Sequence, residues 1–142
     1  HIERATAVLK LLGLEELSDR EFKTLSTGQQ RRCLLGRALV HDPDTLILDE
    51  PTSGLDMSAS FDYLRLIRAL ANKGRSLVLV THHLNEIPPE INRIILLKEG
   101  NIVADGTKNN VLTSGLISDV YGTSIRIMQE HGHYLAYPGD GE

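Results

Sequence analysis

The stretch TLILDEP, residues 45–51, is a short apolar segment that ends in two neighbouring carboxylates. A second apolar segment, SLVLV at residues 76–80, leads into Thr81 and His82. Between them, apolar spacing predicts a helix from about Met57 to Lys73. The predicted inner stripe of that helix is Met57, Phe61, Leu64, Ile67 and Ala71. Because fully apolar strands joined by a helix are typical of a parallel sheet covered on both faces, we expect an α/β fold with helices flanking such a sheet.

The segments on either side extend this pattern. Towards the N-terminus, the sequence predicts a helix over residues 4–14, a loop over residues 18–24 and a helix over residues 27–40. The inner face of the latter helix is predicted to be Leu34, Leu35, Ala38 and Leu39. Towards the C-terminus, we expect a hairpin of residues 93–97 and 101–104, helical turns over residues 109–121, and a small β-hairpin tail of residues 125–129 and 134–137.

The composition of the 142 residues is that of an ordinary globular domain, with 41% hydrophobic and 24% charged residues. The apolar runs are too short to span a bilayer, and no secretion signal is present. The single cysteine, Cys33, cannot form an internal disulfide, which fits a reducing compartment. A net charge of −4 and scattered aromatic residues argue against a nucleic-acid partner. We therefore expect a cytoplasmic protein that binds no nucleic acid.

Asp49 and Glu50 follow the first apolar segment, at the position where parallel α/β sheets bind ligands. A carboxylate there can hold Mg²⁺ through water, because magnesium keeps most of its hydration shell. A neighbouring carboxylate on the other side of the pleat can orient or deprotonate an attacking water. The alternative interpretation is that both residues only end a strand and begin a turn.

The segment LSTGQ begins the helix predicted over residues 27–40. Ser26 and Gln29 have the spacing of a capping box, so a purely structural role is one interpretation. Gly28 is a poor helix former, and its missing side chain lets the free N–H groups of the helix start approach an anion. Two arginines that follow, Arg31 and Arg32, either add positive charge nearby or lie on a solvated helix face.

A loop and a histidine lie near the same predicted sheet edge. The loop SGLD, Ser53 to Asp56, connects the carboxylate pair to the next helix, and Asp56 fits the N-cap of that helix. His82 can donate a hydrogen bond to a phosphoryl oxygen. Because consecutive strand residues point in opposite directions, we expect only one of His82 and His83 to reach a common site. Surface positions, not zinc sites, are predicted for His41, His131 and His133.

Four segments in order resemble the motifs of ATP-binding cassette (ABC) ATPases. LSTGQ, LILDEP, SGLD and TH are similar to the signature, Walker B, D-loop and switch-histidine motifs of that family. Each motif alone is weak, but the four in this order with family-like spacing are specific. The resemblance is firm from about Leu25 to Gly106. It implies part of a P-loop NTPase (RecA-like) nucleotide-binding domain with ATP and Mg²⁺ as cofactors.

The resemblance also implies a role for each matching residue. Asp49 would position Mg²⁺, Glu50 would polarise the hydrolytic water, and His82 would contact the γ-phosphate. The opposite subunit of a head-to-tail dimer would have its nucleotide bound by the signature residues Ser26, Thr27, Gly28 and Gln29. The dimer interface would include the D-loop residues Ser53, Gly54, Leu55 and Asp56.

Two departures from the family pattern affect this interpretation. Thr27 stands where the family commonly has glycine, although Gly28 still leaves room for close approach. In addition, no G-x-x-x-x-G-K-[ST] phosphate loop occurs in the chain, and the family's glutamine loop is missing. Since that phosphate loop supplies most phosphate contacts, we predict that these residues alone bind ATP very weakly and hydrolyse essentially none. The longer parent protein is expected to be the ATP hydrolase.

The order of the motifs predicts a division of the chain into three parts. These are the end of the ABC helical subdomain, the second half of the ATPase core and a C-terminal tail, at residues 1–40, 41–106 and 107–142.

Within the family, the SGLD loop is similar to that of transporters, and residues 106–122 resemble importers of iron–siderophore, haem, cobalamin and molybdate. We therefore expect a metal-chelate importer ATPase at the inner face of the plasma membrane. Its expected partners are a second ATPase subunit, transmembrane permease subunits and a periplasmic or extracellular substrate-binding protein. The alternatives are a soluble, non-transporting ABC ATPase of the translation-associated or regulatory kind, and a molybdate-type importer. The stretch HHLNEIPPEI, residues 82–91, departs from the commoner version of this region and favours a branch near the molybdate proteins.

Overall fold

The computed structural model describes residues 2–140. Its helices and strands are, in chain order, α1 (Ile2–Leu12), α2 (Thr27–Leu39), β1 (Thr45–Asp49), α3 (Met57–Ala71), β2 (Ser76–Val80), β3 (Arg93–Lys98), β4 (Asn101–Thr107), α4 (Lys108–Val111), α5 (Ser114–Tyr121), β5 (Ile125–Glu130) and β6 (His133–Pro138). Short 3₁₀ turns lie at Glu15–Leu17, Phe22–Thr24 and Leu84–Glu86. The predicted α/β class and the predicted order of elements are confirmed.

The chain divides into two compact units, one ending at Thr81 and the other beginning at His82. The division predicted from the motifs, with boundaries after residues 40 and 106, stays a prediction. His1, Gly141 and Glu142, which belong to the first and last of those predicted parts, lie outside the described residues.

The core of the first unit is formed by its three helices together with β1. α1 packs against α2, and α2 packs against α3. The buried cluster consists of Leu12, Leu14, Leu35, Leu39, Leu46, Tyr63, Ile67 and Leu70. Two predicted faces need correction. On α2, Leu34 is exposed, as is Ala38, while Leu35 and Leu39 are buried as expected.

The stripe predicted for α3 is also wrong in part. Met57 is 74% exposed and Phe61 is 49% exposed, whereas the buried residues of this helix are Tyr63, Ile67 and Leu70. These three have the i, i+4, i+7 spacing of one helix face. The helix α3 carries apolar residues on most of its circumference, so their spacing alone does not identify the face that packs against the core.

β1 and β2 form a parallel pair in which Thr45 lies opposite Ser76 and Asp49 lies opposite Val80. The two strands therefore end at the same edge. Leu46 faces the core, but on the other face Ile47 is 71% exposed, and Val78 and Val80 are each 47% exposed. Within residues 2–140, the expectation of a sheet covered on both faces is therefore wrong.

The second unit is built from two antiparallel hairpins, β3–β4 and β5–β6, as the sequence predicts. Each has a two-residue turn in which both residues have positive φ, namely Glu99-Gly100 and His131-Gly132. Such left-handed pairs match the twist of the joined strands. α4 and α5 take the place of the predicted helical turns. The core of the unit includes Ile87, Leu112, Ile117 and Tyr134.

A buried lysine stabilises the second unit. The Nζ of Lys108 donates to the carbonyl oxygens of Pro88 at 2.7 Å and Pro89 at 3.3 Å, and it lies 5.8 Å from the ring centroid of Tyr134. Burial lowers the pKa of Lys108, and the charge of Glu90 opposes that shift. The lysine thus links the start of α4 to the segment that precedes β3.

Among residues 2–140, none of the helices has the length and apolar character that a membrane crossing requires.

Candidate functional site

The start of α2 is closed by the predicted capping box. The Oγ of Ser26 accepts from the backbone N–H of Gln29 at 3.3 Å, and the Oε1 of Gln29 accepts from the backbone N–H of Ser26 at 2.9 Å. Two helix-start N–H groups, those of Thr27 and Gly28, have no acceptor within a regular helix. The Ser26 hydroxyl acts as an acceptor in the cap, so its own hydrogen stays available to donate. This exposed helix start is chemically suited to an anion.

The D-loop leads into a second capped helix start. The side chain of Asp56 accepts from the backbone N–H of Ala59 at 2.8 Å, which confirms the predicted N-cap of α3. Gly54 has φ +78°, a conformation that favours glycine. Leu55 packs against the core of the first unit, while Ser53 is exposed. The loop is therefore anchored by one apolar side chain and leaves its polar groups at the surface.

The two helix starts line a common cavity of about 290 Å³. Its lining consists of Ser26, Gly28, Gln29, Arg32, Asp56, Ser58, Ala59 and Asp62. A Cβ added at Gly28 would lie 3.4 Å from the Cβ of Ala59. Such a Cβ would be in ordinary van der Waals contact with Ala59, so the packing of α3 does not by itself require glycine at position 28. The structure brings three of the predicted signature residues, Ser26, Gly28 and Gln29, together with Asp56 of the D-loop, whereas Thr27 is exposed and is not part of the cavity lining.

The arginines after the signature segment both contact the neighbouring elements. The Nη2 of Arg31 donates to the carbonyl oxygen of Ser53 at 3.2 Å. The Nη2 of Arg32 lies 3.6 Å from the Oδ2 of Asp62 on α3. Both arginine residues are half-buried, so the interpretation as a solvated helix face is wrong. The bond to Ser53 was not predicted, because a backbone carbonyl acceptor leaves no signal in the sequence.

The carboxylate pair lies where β1 ends. Asp49 is the last residue of the strand and is exposed, which suits a water-mediated contact with Mg²⁺. Glu50 lies beyond the strand with φ +44°, and its N–H donates to the carbonyl of Val80 at 2.8 Å. The carbonyl of Glu50 accepts from the N–H of Ser53 at 3.1 Å, so a turn does begin there. Because Glu50 is outside β1, the alternation of the pleat does not set its direction, contrary to the expectation.

The histidines after β2 correct another expectation. The rings of His82 and His83 lie side by side, with centroids 3.9 Å apart and planes tilted by 44°. The prediction that they point in opposite directions is wrong, because β2 ends at Val80 and the pleat does not continue to them. His82 opens the second unit. His41 and His131 are exposed and His133 is half-buried.

A second cavity in the first unit, of about 420 Å³, contains none of the predicted site residues. It lies between α1 and the C-terminal ends of α2 and α3, and its charged lining is Arg4, Lys10, Asp42, Lys73 and Arg75. A hydrogen bond and the charge of Arg75, with a smaller contribution from Arg4, hold the pKa of Asp42 below its usual range. Since this cavity is separate from the capped helix starts, it is not the candidate site.

Known proteins place the chain in a family. The family model described as ABC transporter matches residues 2–53. YlmA of Bacillus subtilis, an uncharacterized ABC transporter ATP-binding protein, is 41% identical over 128 residues, which cover 89% of this chain and 48% of YlmA. The chain belongs to the ABC transporter family. Within that family, the macrolide export ATP-binding/permease protein MacB of Chlorobium phaeobacteroides is 34% identical over 140 residues, covering 95% of this chain and 21% of MacB.

The fold of this ABC family member also matches solved structures. A transporter described as of the metal-chelate type, solved in an inward-facing conformation, has a TM-score of 0.84 and 30% identity. That match covers 95% of this chain and 55% of the solved chain. This agreement supports an ABC nucleotide-binding domain as the fold. The chain spans about half the length, or less, of the relatives described above.

Proposed function

We propose that this chain is the signature-bearing part of the ATP-binding subunit of an ABC transporter, and that the parent protein hydrolyses ATP to drive transport. The observation that carries the proposal is the meeting of the capped starts of α2 and α3 at one cavity, the α3 start following shortly after the carboxylate pair in the chain. Membership of the ABC transporter family supports ATP as the nucleotide.

The start of α2 is proposed to bind the phosphates of a nucleotide held by a second copy. The N–H groups of Thr27 and Gly28 and the hydroxyl of Ser26 would donate to phosphate oxygens. Gln29 would act through the cap, because its Oε1 is already bonded to the N–H of Ser26. Asp56, with Ser53, Gly54 and Leu55, would lie at the interface between the copies.

The residues after the strands are proposed to act on the nucleotide of their own copy. Asp49 would hold Mg²⁺ through water, and the ion would neutralise phosphate charge. Glu50 would orient or deprotonate the hydrolytic water, and His82 would donate to the γ-phosphate. The phosphate loop itself would come from a part of the parent that these 142 residues do not contain.

The transport partners and substrate belong to the parent protein. A second ATPase subunit, a permease at the inner face of the plasma membrane and an extracytoplasmic substrate-binding protein are proposed for a metal-chelate importer. The likeness to the metal-chelate type transporter supports that choice. The relative MacB favours a second candidate, an export ATPase. Transport assays with the cognate permease distinguish them, since an importer moves the chelate inwards and an exporter does not.

The catalytic proposal is tested by ATP hydrolysis in the parent protein. Glu50→Gln should slow turnover by about 10²- to 10⁴-fold, the usual contribution of a general base, while ATP binding is retained. Glu99→Gln, an exposed change in the β3–β4 turn, is the matched control and should leave turnover unchanged. Normal turnover in Glu50→Gln would remove its assigned role. Activity of the 142-residue chain, purified free of the parent, would contradict its predicted inactivity.

A further inference from the structure

A hydrogen bond joins α2 to the D-loop across 22 positions of the chain. The Nη2 of Arg31 donates to the carbonyl oxygen of Ser53 at 3.2 Å, and both residues belong to the first unit. Arg31 lies little more than one turn after Ser26, and Ser53 lies three residues before the Asp56 cap. This bond therefore connects the two segments that form the candidate site.

We propose that Arg31 is a positioning residue, which holds the D-loop against the signature helix so that a second copy meets both as one preformed surface. The inference rests on the proposed function, because that surface has a purpose only if two copies associate around nucleotide. It adds a residue that the signature, Walker B, D-loop and histidine motifs do not include.

The turns of the D-loop do not use the Ser53 carbonyl as an acceptor, and Arg31 donates to it instead. The loop consists of two successive turns, in which the N–H of Ser53 bonds to Glu50 and the N–H of Leu55 bonds to Thr52. Neither turn uses the carbonyl of Ser53 as its acceptor. Gly54 follows with φ +78°, where glycine has conformational freedom that other residues lack. A bond at Ser53 thus restrains the loop immediately before its most adaptable residue.

α2 and α3 also contact each other away from Arg31. The two helices pack together, and Arg32 on α2 pairs with Asp62 on α3 at 3.6 Å. Burial raises the pKa of Tyr63 on α3, and the charge of Arg31 partly opposes that rise. Removal of the guanidinium should therefore release the loop and leave the helix pair in place. A planar guanidinium presents several fixed donors, whereas a lysine ammonium is a point donor, so Arg31→Lys should restore part of the contact.

The experiment uses the parent protein with Glu50→Gln as background, so that ATP-bound dimers accumulate. Arg31→Ala should weaken ATP-dependent dimerisation by about 10-fold, the size of one charge-assisted hydrogen bond, with monomer affinity for ATP unchanged. Arg31→Lys should recover part of that loss. Arg37→Ala, an exposed arginine in the last turn of the same helix, should change nothing. Sedimentation at a series of concentrations measures the dimer, and hydrogen exchange of the monomer measures amides 53–56.

Two sets of outcomes separate this inference from the proposed function. In Arg31→Ala, amides 53–56 should exchange faster while those of α2 and α3 stay as protected as before. Unchanged exchange and unchanged dimerisation would overturn the inference. A general loss of protection in α2 and α3 would also overturn it, by assigning Arg31 to the fold. If the Glu50→Gln protein with Arg31 unchanged formed no ATP-dependent dimer, the proposed function would fail. The exchange data would still decide whether Arg31 restrains the loop.

Discussion

The two compact units use their polar groups in opposite ways. In the first unit, Ser26 and Asp56 cap helix starts at the surface, beside N–H groups that can still donate. In the second unit, Lys108 is only 8% exposed, and its ammonium is bonded to the Pro88 and Pro89 carbonyls. Polar groups that remain available at a surface can serve a ligand, whereas polar groups bonded inside a core serve the fold. We therefore expect changes in the first unit to affect association and changes in the second to affect stability.

Among the changes that test this contrast between the units, Ser26→Arg in the parent protein has the largest expected effect. A long cation would fill the cavity beside the α2 start and remove the cap that holds Gln29. ATP-dependent association should fall by at least about 100-fold, which corresponds to roughly 2.7 kcal/mol, while each monomer still binds ATP. Light scattering with and without ATP measures the association. Ser18→Arg, an exposed change outside the cavity, is the control, and equal losses in the two variants would remove the special role of Ser26.

A smaller effect, on stability alone, is expected from Lys108→Met. The change keeps the side-chain length but removes the bonds of the ammonium to two proline carbonyls. The Pro88 carbonyl keeps the Ile91 N–H as a donor, while the Pro89 carbonyl loses its bond to Lys108, and the change should cost about 1–3 kcal/mol in the second unit. Native-state hydrogen exchange of β5 and β6 in the parent measures this cost. Lys98→Met removes an exposed bond to the Asp119 carbonyl and should cost less than about 0.5 kcal/mol. A change in ATP-dependent association by Lys108→Met would contradict the contrast between the units.

The smallest expected effect is on the stability of the fold at acid pH, and it should be of similar size in both units. Hydrogen bonds from Arg75 and Arg93 lower the pKa of Asp42 and Asp105, respectively. A depressed carboxyl pKa stabilises the fold above the unfolded value, and that contribution is lost as pH falls through the folded pKa. Stability should therefore decline below about pH 4 less steeply in Asp42→Asn and Asp105→Asn than in the unmodified protein. Arg75 is half-buried and the other three residues of the two pairs are exposed, and solvent screens such pairs. Identical acid profiles for all three proteins would assign the pairs no part in stability.

The elements of the fold were predictable because their patterns are local. The capping box at Ser26, the Asp56 cap and both hairpin turns depend on residues a few positions apart, and all are confirmed. The packed face of α3 was not predictable in the same way. Met57 and Phe61 are apolar but exposed, while the buried stripe begins at Tyr63. That choice depends on which side of α3 the other elements occupy, and such information is not local.

Two further errors have the same physical origin. Ile47 was expected to be covered because β1 is apolar on both faces, but burial depends on what packs there, and its side chain is 71% exposed. His82 and His83 were assigned to a pleat that ends two residues earlier, at Val80. The bond from Arg31 to Ser53 joins distant positions through a main-chain atom, so no residue pattern could indicate it. The roles of Asp49, Glu50 and His82 rest on the family resemblance and stay predictions.

The most direct test of the central claim, that the α2 start serves a nucleotide held by another copy, is a mixed dimer. Two differently tagged forms of the parent, both Glu50→Gln, are combined with Ser26→Arg on one of them. Photoreactive ATP then reports which subunit retains nucleotide after the dimer is isolated. The account predicts that labelling decreases on the subunit with the intact Ser26 and is retained on the subunit with Ser26→Arg. Loss of labelling on the altered subunit itself would place the contact within one copy and contradict the account.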